Sequence, residues 1–497
     1  MGTDSDVAIV GYGPVGNVLA ILLVQLGRSV TVLERWPEPY GRPRAVHFDH
    51  EVGRILQSCG IGDELRTISE PADIYEWRSA TGTTLLRFGS PGDGPSGWPA
   101  SSMFNQPALE RLLDRRGRAL GVDVRRGVEV TGIDQGEDAV TVTAADGTTV
   151  SARYVVGCDG ANSTVRTLAR LPVTDLGFFY DWLIVDVILD EPRVFDPINL
   201  QICDPARPTT VVSGGPGRRR WEFMRRPHES LDDLNDERRA WELLGPWDVH
   251  RGNARLERHA VYTFRARYAE QWRDRRVLVA GDAAHLMPPF AGQGMCSGVR
   301  DASNLAWKLD LVLAGHAADA LLDSYQCERL PSARTAIELS MELGKVICVP
   351  DPAEAAARDE AMALGVGHEP APAPGLPDIT SGFLHPRAPY AGRQFVQGKD
   401  CGRPFDDVHG HGWRLVVLGV DVDAVGRDER GWFESIGGQV VALTDPDPVY
   451  RRWFADHDVA GALQRPDFYL YGSAPKAAAA DSLLADLRSH LAQGATS

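Results

Sequence analysis

Residues 6–34 read DVAIVGYGPVGNVLAILLVQLGRSVTVLE, the pattern of a strand, a glycine-rich turn, a helix and a second strand. A short β-branched run leads into Gly11, Gly13 and Gly16 in the spacing G-x-G-x-x-G, then an apolar helical stretch and a second strand that ends in Glu34. Gly11 permits a tight turn, Gly13 lets the backbone approach a pyrophosphate, and Gly16 allows close helix–strand packing. The helix N-terminus faces the anion, and Glu34 can accept hydrogen bonds from a ribose. The stretch therefore predicts a βαβ dinucleotide-binding unit and leaves FAD and NAD both open.

The composition is that of a large folded protein. The chain has 497 residues, of which 43% are hydrophobic and 24% charged, an ordinary globular mix with room for several domains. The 52 basic and 68 acidic side chains give a net charge of −16, which repels polyphosphate. Nucleic acid is therefore not an expected partner.

Cysteine usage and the N-terminus indicate the compartment. The seven cysteines are scattered, with no C-x-x-C pair and no zinc-ligand spacing, so we expect a reducing environment and no metal. The N-terminal residues lack a basic region followed by an apolar one, and the early apolar run 18–24 is too short to span a bilayer. These features predict a cytoplasmic protein without a membrane partner.

Two later segments separate FAD from NAD by resemblance. Residues 276–294, RVLVAGDAAHLMPPFAGQG, resemble the second flavin signature of the single-component (class A) flavoprotein aromatic hydroxylases, and residues 157–166, GCDGANSTVR, resemble their Asp-Gly motif. The three motifs occur in the order typical of that family, over about residues 6–340. Four further segments are similar to the 3-(3-hydroxyphenyl)propionate hydroxylase-like members: 43–45 (PRA), 104–107 (FNQP), 181–186 (DWLIVD) and 301–309 (DASNLAWKL).

The resemblance implies FAD as cofactor, NADPH or NADH as a transient co-substrate, and O2. By it, Arg44 and Gln106 contact FAD, Val130 lies beside the adenine, and residues 292–295 face the isoalloxazine. A glycine-rich loop before a helix also exposes backbone N–H groups, which suit the negative charge of reduced flavin. The predicted FAD-binding residues are Gly11, Gly13, Pro14, Val15, Gly16, Glu34, Arg35, Arg44, Gln106, Val130, Asp159, Gly281, Asp282, Pro289, Gly292, Gly294 and Met295. For Asp159, a turn residue at a strand end is the alternative interpretation.

The implied fold is α/β (α+β overall), with the para-hydroxybenzoate hydroxylase architecture. We expect a Rossmann-like FAD-binding domain, an inserted β-sheet substrate domain, and a C-terminal thioredoxin-like domain that lacks C-x-x-C and serves structure or a homodimer contact. The predicted ranges are 1–171 (FAD-binding, first part), 172–275 (substrate domain), 276–349 (return to the FAD-binding domain), 350–379 (helical excursion and linker) and 380–497 (thioredoxin-like).

The implied reaction is hydroxylation of a phenolic or polycyclic aromatic substrate through a flavin C4a-hydroperoxide. A base that forms phenolate would raise the nucleophilicity of the ring, and His47 and Asp49, just beyond Arg44, are the candidates. A structural role is open for each, and we interpret His285 as structural. The arginines at 218–220 are interpreted as a solvated turn or an attractor of anions. Candidate pocket residues that could equally be core are Trp182, Trp221, Phe223 and Phe264.

Two alternatives to hydroxylation stay open. Within the family, the same chemistry performs Baeyer–Villiger insertion or epoxidation in a natural-product pathway, which only the products discriminate. A flavin-binding scaffold without turnover belongs to another class, and the absence of substrate-stimulated NAD(P)H oxidation would identify it. A flavin halogenase would need W-x-W-x-I-P, which the sequence lacks.

Overall fold

The computed structural model describes residues 3–89, 92–367, 370–371, 375–419, 422, 425–476 and 480–493. The strands are β1 (Ser5–Val10), β2 (Val30–Glu34), β3 (His47–Asp49), β4 (Ser69–Pro71), β5 (Tyr75–Arg78), β6 (Thr84–Phe88), β7 (Ser101–Phe104), β8 (Asp123–Arg126), β9 (Val130–Gln135), β10 (Val140–Ala144), β11 (Thr149–Gly157), β12 (Val173–Leu189), β13 (Asn199–Ile202), β14 (Thr209–Ser213), β15 (Arg218–Met224), β16 (Ala254–Ala269), β17 (Arg273–Asp274), β18 (Val277–Val279), β19 (His285–Leu286), β20 (Lys399–Asp400), β21 (Arg403–Pro404), β22 (Arg414–Leu418), β23 (Gln439–Leu443), β24 (Gly461–Gln464) and β25 (Leu470–Ala474). The α-helices are α1 (Pro14–Gln25), α2 (His50–Leu56), α3 (Gly62–Ile68), α4 (Gln106–Ala119), α5 (Thr164–Leu168), α6 (Leu231–Leu234), α7 (Glu237–Leu244), α8 (Gly294–Leu313), α9 (Asp323–Ile347), α10 (Pro352–Ala363), α11 (Phe405–His409), α12 (Arg427–Ser435), α13 (Pro448–His457) and α14 (Ala480–Gln493).

The N-terminal stretch forms the centre of a parallel sheet. β1 pairs in parallel with β2 and β11, β2 pairs with β8, and β11 pairs with β18. The short β18 follows β12 to β16, which pair in a second sheet, so the chain returns to the first sheet late. The apolar helices α1 and α8 pack on each other and share one buried core with the sheet. Both helices begin at the same edge of the sheet, which is where the predicted glycine motifs lie.

A second sheet has eight strands in the order β19-β16-β12-β15-β14-β13-β5-β6. The predicted range for it, 172–275, therefore omits β5, β6 and β19. β5 and β6 have only four and five residues, and β5 pairs with β13, which is distant in the chain. A local pattern of alternation cannot show which distant strand is the partner, so the sequence did not reveal this pairing.

The second sheet has two different faces because side chains alternate along each strand. On β12, Trp182 and Ile184 belong to one apolar cluster, and Leu183 and Val185 belong to another. We call the face that carries Trp182 and Ile184 the front face and the opposite one the back face. Phe290, from the loop before α8, packs in the front-face cluster, so the front face is turned towards the predicted flavin motifs.

The C-terminal residues form a smaller α/β unit around the sheet β23-β22-β24-β25. β22 and β23 are parallel and joined by α12, whereas β24 and β25 are antiparallel to their neighbours. This is the order of a thioredoxin-like unit. The predicted α/β fold class with this C-terminal unit is confirmed.

Buried ion pairs attach the C-terminal unit to the rest of the chain. Arg54 on α2 donates from Nε to Asp406 at 2.6 Å, and both side chains are almost fully buried. Arg465 lies 2.6 Å from Glu328 on α9, and Lys308 on α8 lies 2.9 Å from the same carboxylate. The contact between the two units therefore contains charges that are sealed from water, beside an apolar core to which both units contribute.

The segment between the units begins with α10, in the range predicted as a helical excursion. Part of the Pro-Ala repeat that was predicted as a linker, residues 372–374, lies outside the described residues. None of the helices in the described part of the chain is long and apolar enough to cross a bilayer.

Candidate active site

The first glycine turn brings the start of α1 against the sheet. Gly11 has φ +98°, and a Cβ there would lie 2.5 Å from the carbonyl oxygen of Cys158. A Cβ on Gly16 would lie 2.1 Å from the Gly11 oxygen. At Gly13, by contrast, the nearest atom to a Cβ would be Arg44 Nη2, 3.9 Å away. The turn is therefore closed towards the protein and open on the side where an anion would meet the first N–H groups of α1.

Glu34 closes the end of β2 beside this turn. One carboxylate oxygen accepts from the N–H of Tyr12 at 2.7 Å and the other from the N–H of Trp36 at 2.9 Å. Each oxygen keeps a second lone pair for a ribose hydroxyl. Val130 is buried at the start of β9, whereas Arg35 is exposed and stacks on Trp36.

Arg44 faces the same turn from the other side. Its Nη2 donates to Glu110 at 3.3 Å, and Gln106 donates to the same carboxylate oxygen at 2.6 Å. The oxygen of Gln106 in turn accepts from the N–H of Ala45. Burial raises the pKa of Glu110. Arg44 itself stays half exposed, so its guanidinium is held in place and remains available to an anion beside Gly13.

The second glycine turn packs directly on the first. Gly281 has φ +62°, and a Cβ there would lie 2.9 Å from Val15 Cγ2. A Cβ on Gly298 of α8 would lie 2.6 Å from that same methyl group. Asp282 is open to solvent although protein surrounds it, and desolvation raises its pKa. A carboxylate that is both exposed and surrounded by protein lies in the wall of a cleft. The family resemblance places a flavin contact at this same residue.

Asp301 on α8 supports the second turn from below. Its carboxylate accepts from the N–H of Gly281 at 3.1 Å and from Arg329 at 3.0 Å, and it lies 2.7 Å from His285 Nε2. His285 and Arg329 hold the pKa of the buried Asp301 below its usual range, although burial acts in the opposite direction. His285 is fully buried, in agreement with its interpretation as a structural residue.

The third glycine turn starts α8. Gly292 has φ +64° after the turn Pro289–Ala291, and a Cβ on it would lie 2.9 Å from His47 Nδ1. The helix begins at Gly294, and Met295 follows it half-buried. No side chain caps this N-terminus, so its N–H groups are open to an acceptor in the cleft.

Asp159 does not point to the cleft as a free carboxylate. It accepts from Ser163 Oγ at 2.5 Å and from the N–H groups of Thr164 and Val165 at 2.7 and 3.1 Å. The structure therefore favours the alternative of a turn residue that starts α5. Sequence reasoning missed Arg166, which donates to the carbonyl of Ala283 and so ties the Asp-Gly motif to the second glycine turn.

The two candidate bases have different surroundings. Asp49 accepts from Arg300 at 2.6 Å, from the N–H of Val52 at 3.1 Å and from Gln293 at 3.2 Å. Arg300 holds the pKa of Asp49 far below its usual range, against the effect of burial. His47 lies with Nδ1 3.2 Å from the Gly292 carbonyl, and burial lowers its pKa. Asp49 thus serves as a helix cap and ion-pair partner, and His47 supports the Gly292 loop.

The candidate pocket aromatics are divided between the two faces of the second sheet. Trp182 and Phe264 lie on the front face, with ring centroids 5.7 and 5.8 Å from Phe290. Trp221 and Phe223 lie on the back face, where both contact Trp247. The structure brings only the first pair near the glycine loops. The register of β15 against β12 separates the two pairs, because it places Phe223 opposite Leu183 and Trp221 opposite Val185 on the back face. Sequence could have shown this had the register been known.

Arginines of the second sheet hold the loop that carries Arg44. Arg220 donates to the Arg44 carbonyl at 2.5 Å and forms a buried pair with Asp186 at 2.6 Å. Arg258 donates to the carbonyl of Pro43. The interpretation of residues 218–220 as a solvated turn is therefore wrong, because Arg219 and Arg220 are buried in β15.

Comparison with known proteins identifies this arrangement. A family model described as an FAD binding domain matches residues 4–340. The "Probable NADH-specific resorcinol 4-hydroxylase" of Rhodococcus jostii (strain RHA1) is 40% identical and is aligned over 97% of this chain and 94% of that protein. A 3-(3-hydroxy-phenyl)propionate/3-hydroxycinnamic acid hydroxylase of Mycobacterium sp. (strain JLS) is 33% identical over 95% of this chain and 89% of that protein.

The fold is also similar to solved structures. The flavin-dependent monooxygenase PieE, crystallised with FAD and substrate, superposes with a TM-score of 0.82 over 99% of this chain and 100% of that one, at 21% identity. At that identity the likeness concerns the fold.

Proposed function

The chain belongs to the FAD binding domain family, and from that membership we propose that it is an NADH-dependent hydroxylase of a small resorcinol-like phenol. It is an FAD-dependent aromatic hydroxylase, as its relatives are. The choice of substrate and of NADH is supported by one observation, the 40% identity to the resorcinol 4-hydroxylase across almost the whole chain.

We propose that the three glycine turns hold FAD. The N–H groups at the start of α1 and the guanidinium of Arg44 would bind the pyrophosphate, and Glu34 would bind the adenosine ribose. Asp282 would meet the ribityl chain, and the uncapped start of α8 would face the isoalloxazine. The remaining FAD residues predicted from sequence line or support these turns, with Asp159 acting through α5.

The shape of the cleft fits this cofactor. A Cβ would be accommodated at Gly13 but not at Gly11, Gly16 or Gly281, so the space is open only on the side of the proposed pyrophosphate. Bound FAD would take a hydride from NADH and activate O2 for the transfer of one oxygen atom to the ring. The protein supplies orientation, a fixed electrostatic field and a site closed to water.

We propose that substrate lies between the glycine loops and the front face of the second sheet. Trp182, Phe264 and Phe290 would form its apolar wall and keep water from the reacting atoms. His47, through its contact with the Gly292 carbonyl, would fix the loop that positions the isoalloxazine against this wall. Trp221 and Phe223 would act through the core behind the sheet.

The test is turnover by the purified holoenzyme. Oxidation of NADH and of NADPH is followed with resorcinol, with 3-(3-hydroxyphenyl)propionate and without substrate, and the products are analysed by mass spectrometry and NMR. We expect NADH oxidation to be stimulated by resorcinol and coupled to a product heavier by one oxygen atom on the ring.

Two results would contradict the proposal. A lactone or epoxide would indicate the Baeyer–Villiger or epoxidising alternative, and hydroxylation of larger phenols alone would exclude the resorcinol-like class.

The cytoplasm is the proposed compartment because all seven cysteines are free thiols, as a reducing environment requires. The homodimer stays a prediction that light scattering of the holoenzyme tests.

A further inference from the structure

One row of residues on the front face of the second sheet faces the space between the loop before α8 and the loop that carries Arg44. Strand pairing places Ile184 of β12 opposite Ala260 of β16 on one side and opposite Glu222 of β15 on the other. Thr210 of β14 and Gln201 of β13 continue the row. These residues lie side by side across five strands, and all point to the same face.

The row is flanked by two contacts, one to the loop before α8 and one to the loop that carries Arg44. Trp182 lies two residues before Ile184 on β12, and it packs on Phe290 of the loop before α8. Asp186 lies two residues after Ile184 on β12. Its partner Arg220 also donates a hydrogen bond to the Arg44 carbonyl. The Ile184–Glu222 row therefore stands opposite the space that both loops border.

The row changes from apolar to polar along its length. Ala260 and Ile184 are apolar. From Glu222 onward the side chains are polar: Thr210 donates to the amide oxygen of Gln201 at 2.6 Å, and Tyr75 of β5 donates to that oxygen at 3.5 Å. An aromatic ring with one hydroxyl matches such a wall, with its ring on the apolar part and its hydroxyl on the polar part.

Glu222 is the group on this row whose hydrogen-bonding capacity is unused. Among the described residues no donor lies within hydrogen-bond distance of its carboxylate, and the nearest cation is Arg220 Nη1 at 3.7 Å. That guanidinium already donates to Asp186 and to the Arg44 carbonyl. The Glu222 side chain retains 9% exposure, so a small molecule in the cleft can reach it.

We propose that Glu222 accepts the proton of the substrate's phenolic hydroxyl, and that Tyr75, Thr210 and Gln201 hold the hydroxyl end of the ring beside it. This role rests on the proposed hydroxylation of a phenol. The O–H bond breaks heterolytically, the electron pair stays on the phenol oxygen, and the proton moves to a Glu222 oxygen. When the hydroxylated ring re-aromatises, the C–H bond at the new hydroxyl-bearing carbon breaks, its electron pair restores the ring and its proton leaves to water. The carboxyl returns the first proton to the phenol oxygen, so Glu222 is unchanged over a cycle.

The surroundings suit a reversible proton transfer. Burial raises the pKa of Glu222 to about 7, against the lowering effect of Arg220. The other charged groups that face it are Asp186, which raises the pKa, and Arg258, which lowers it. Glu222 in turn contributes to the raised pKa of Tyr75, whose main cause is burial. A base whose pKa lies near the working pH can both take and return a proton.

The test compares Glu222→Gln with wild-type holoenzyme. The ratio kcat/KM is measured from pH 6 to 9 for resorcinol and for fluorinated resorcinols with more acidic hydroxyls. In the wild type we expect kcat/KM to rise with pH through about 7, as Glu222 ionises. In Glu222→Gln we expect a loss of about 100-fold or more with resorcinol, and a smaller loss with the more acidic phenols and at higher pH.

A matched control is Glu76→Gln. Glu76 precedes Trp77 on β5, its side chain is 9% exposed like that of Glu222, and its carboxylate is paired with Arg78 and Arg87. Its neighbours Tyr75 and Trp77 face the front cluster, so Glu76 faces away from it. This control should keep the wild-type pH profile.

Binding and folding are followed separately from turnover. The Kd of resorcinol for the oxidised holoenzyme, measured from the change in flavin absorbance on binding, should be similar in the wild type and in Glu222→Gln, since an amide oxygen still accepts from the hydroxyl. Flavin absorbance and the melting temperature report folding. If Glu222→Gln does not bind FAD, Glu222→Asp is measured in its place. In that variant kcat/KM should still rise with pH, to a lower maximum.

Three results would overturn the proposal. The first is an unchanged kcat/KM in Glu222→Gln, and the second is a loss that does not depend on pH or on phenol acidity. The third is a kcat/KM that no longer rises with pH in Glu222→Asp, which would also exclude a carboxylate base at this position. A wild type that hydroxylates no phenol would refute the proposed function and this role together, whereas an active wild type with a normal Glu222→Gln refutes this role alone.

Discussion

The carboxylates beneath the cofactor cleft and the carboxylate on the front face of the second sheet are treated differently by the fold. Asp301 and Asp49 each have three hydrogen-bonding partners, and their pKa values lie below the usual range. Glu222 has no hydrogen-bond donor among the described residues, and its pKa is raised to about 7. Carboxylates that fix the backbone have their hydrogen-bonding capacity used, whereas the one that faces the proposed substrate space keeps it.

The largest effect is expected from Asp301→Asn, which tests whether a fully paired carboxylate fixes the backbone beneath the cleft. The change removes the negative charge that pairs with the buried Arg329 and leaves one acceptor oxygen where the Gly281 turn, His285 and Arg329 shared two, so we expect a loss of about 3–5 kcal/mol of unfolding free energy and loss of bound FAD. Denaturant titration and flavin absorbance measure the two effects. The control Asp310→Asn lies on the same helix in a more accessible pair with Arg28 and should cost about 1 kcal/mol. Equal costs for the two variants would contradict the assignment.

The pH dependence of stability sharpens the contrast. Glu222 binds a proton more tightly in the folded state, with a pKa of about 7 against an ordinary 4.5, so its contribution to stability falls as pH rises between these values and stays low above them. We expect Glu222→Gln to gain stability relative to the wild type between pH 5 and pH 8, by at most about 3 kcal/mol. Urea denaturation of both proteins at the two pH values measures this. A difference that is constant with pH would show that Glu222 titrates normally.

A smaller effect is expected on the cofactor side. In Arg44→Ala the proposed pyrophosphate partner is lost, and a charge-assisted hydrogen bond of about 1.5–3 kcal/mol predicts a Kd for FAD raised about 10- to 100-fold. Fluorescence titration of the apoprotein with FAD measures it. The exposed Arg42, two residues earlier, serves as the control, since Arg42→Ala should leave the Kd unchanged. Equal Kd values for the wild type and Arg44→Ala would argue against a pyrophosphate beside Gly13.

The smallest expected effect distinguishes the two faces of the second sheet. Trp182→Phe reduces a front-face ring and should raise KM for the phenol by a few-fold, since such aromatic contacts are worth about 1 kcal/mol. Trp221→Phe on the back face should lower the melting temperature and leave KM unchanged. Steady-state kinetics and thermal unfolding of both variants provide the comparison, and a KM effect confined to Trp221→Phe would reverse the assignment of the faces.

Much of the cofactor side could be predicted from the sequence because its determinants are local. Gly11, Gly16 and Gly281 are required by atoms that a Cβ would meet, and such requirements appear as glycines at fixed spacing. The pairing of Asp301 with Gly281 could not be predicted in this way. It joins a helix to a turn 20 residues earlier, and a single carboxylate in the segment DASN gives no sign of its partners.

The substrate side was harder to predict because it depends on strand pairing. Glu222 lies in the run RRRWEFM, which was interpreted as a charged turn followed by pocket aromatics. Once β15 is placed beside β12, alternation turns Glu222 to the front face and Trp221 and Phe223 to the back. The bases predicted from sequence, His47 and Asp49, follow Arg44 directly in the chain, whereas the base that we propose, Glu222, comes from a strand that is distant in sequence.

The buried charges between the C-terminal unit and the rest of the chain limit how this protein can be divided. Removing the C-terminal unit would leave Arg54 and the Lys308–Glu328 pair without Asp406 and Arg465, and unpaired buried charge is among the most destabilising changes a fold can undergo. We therefore expect that the unit cannot be trimmed as an appendage and that the two parts unfold together in one cooperative transition. An exchange of this unit between relatives would succeed only if the partner charges on both sides of the junction were exchanged with it.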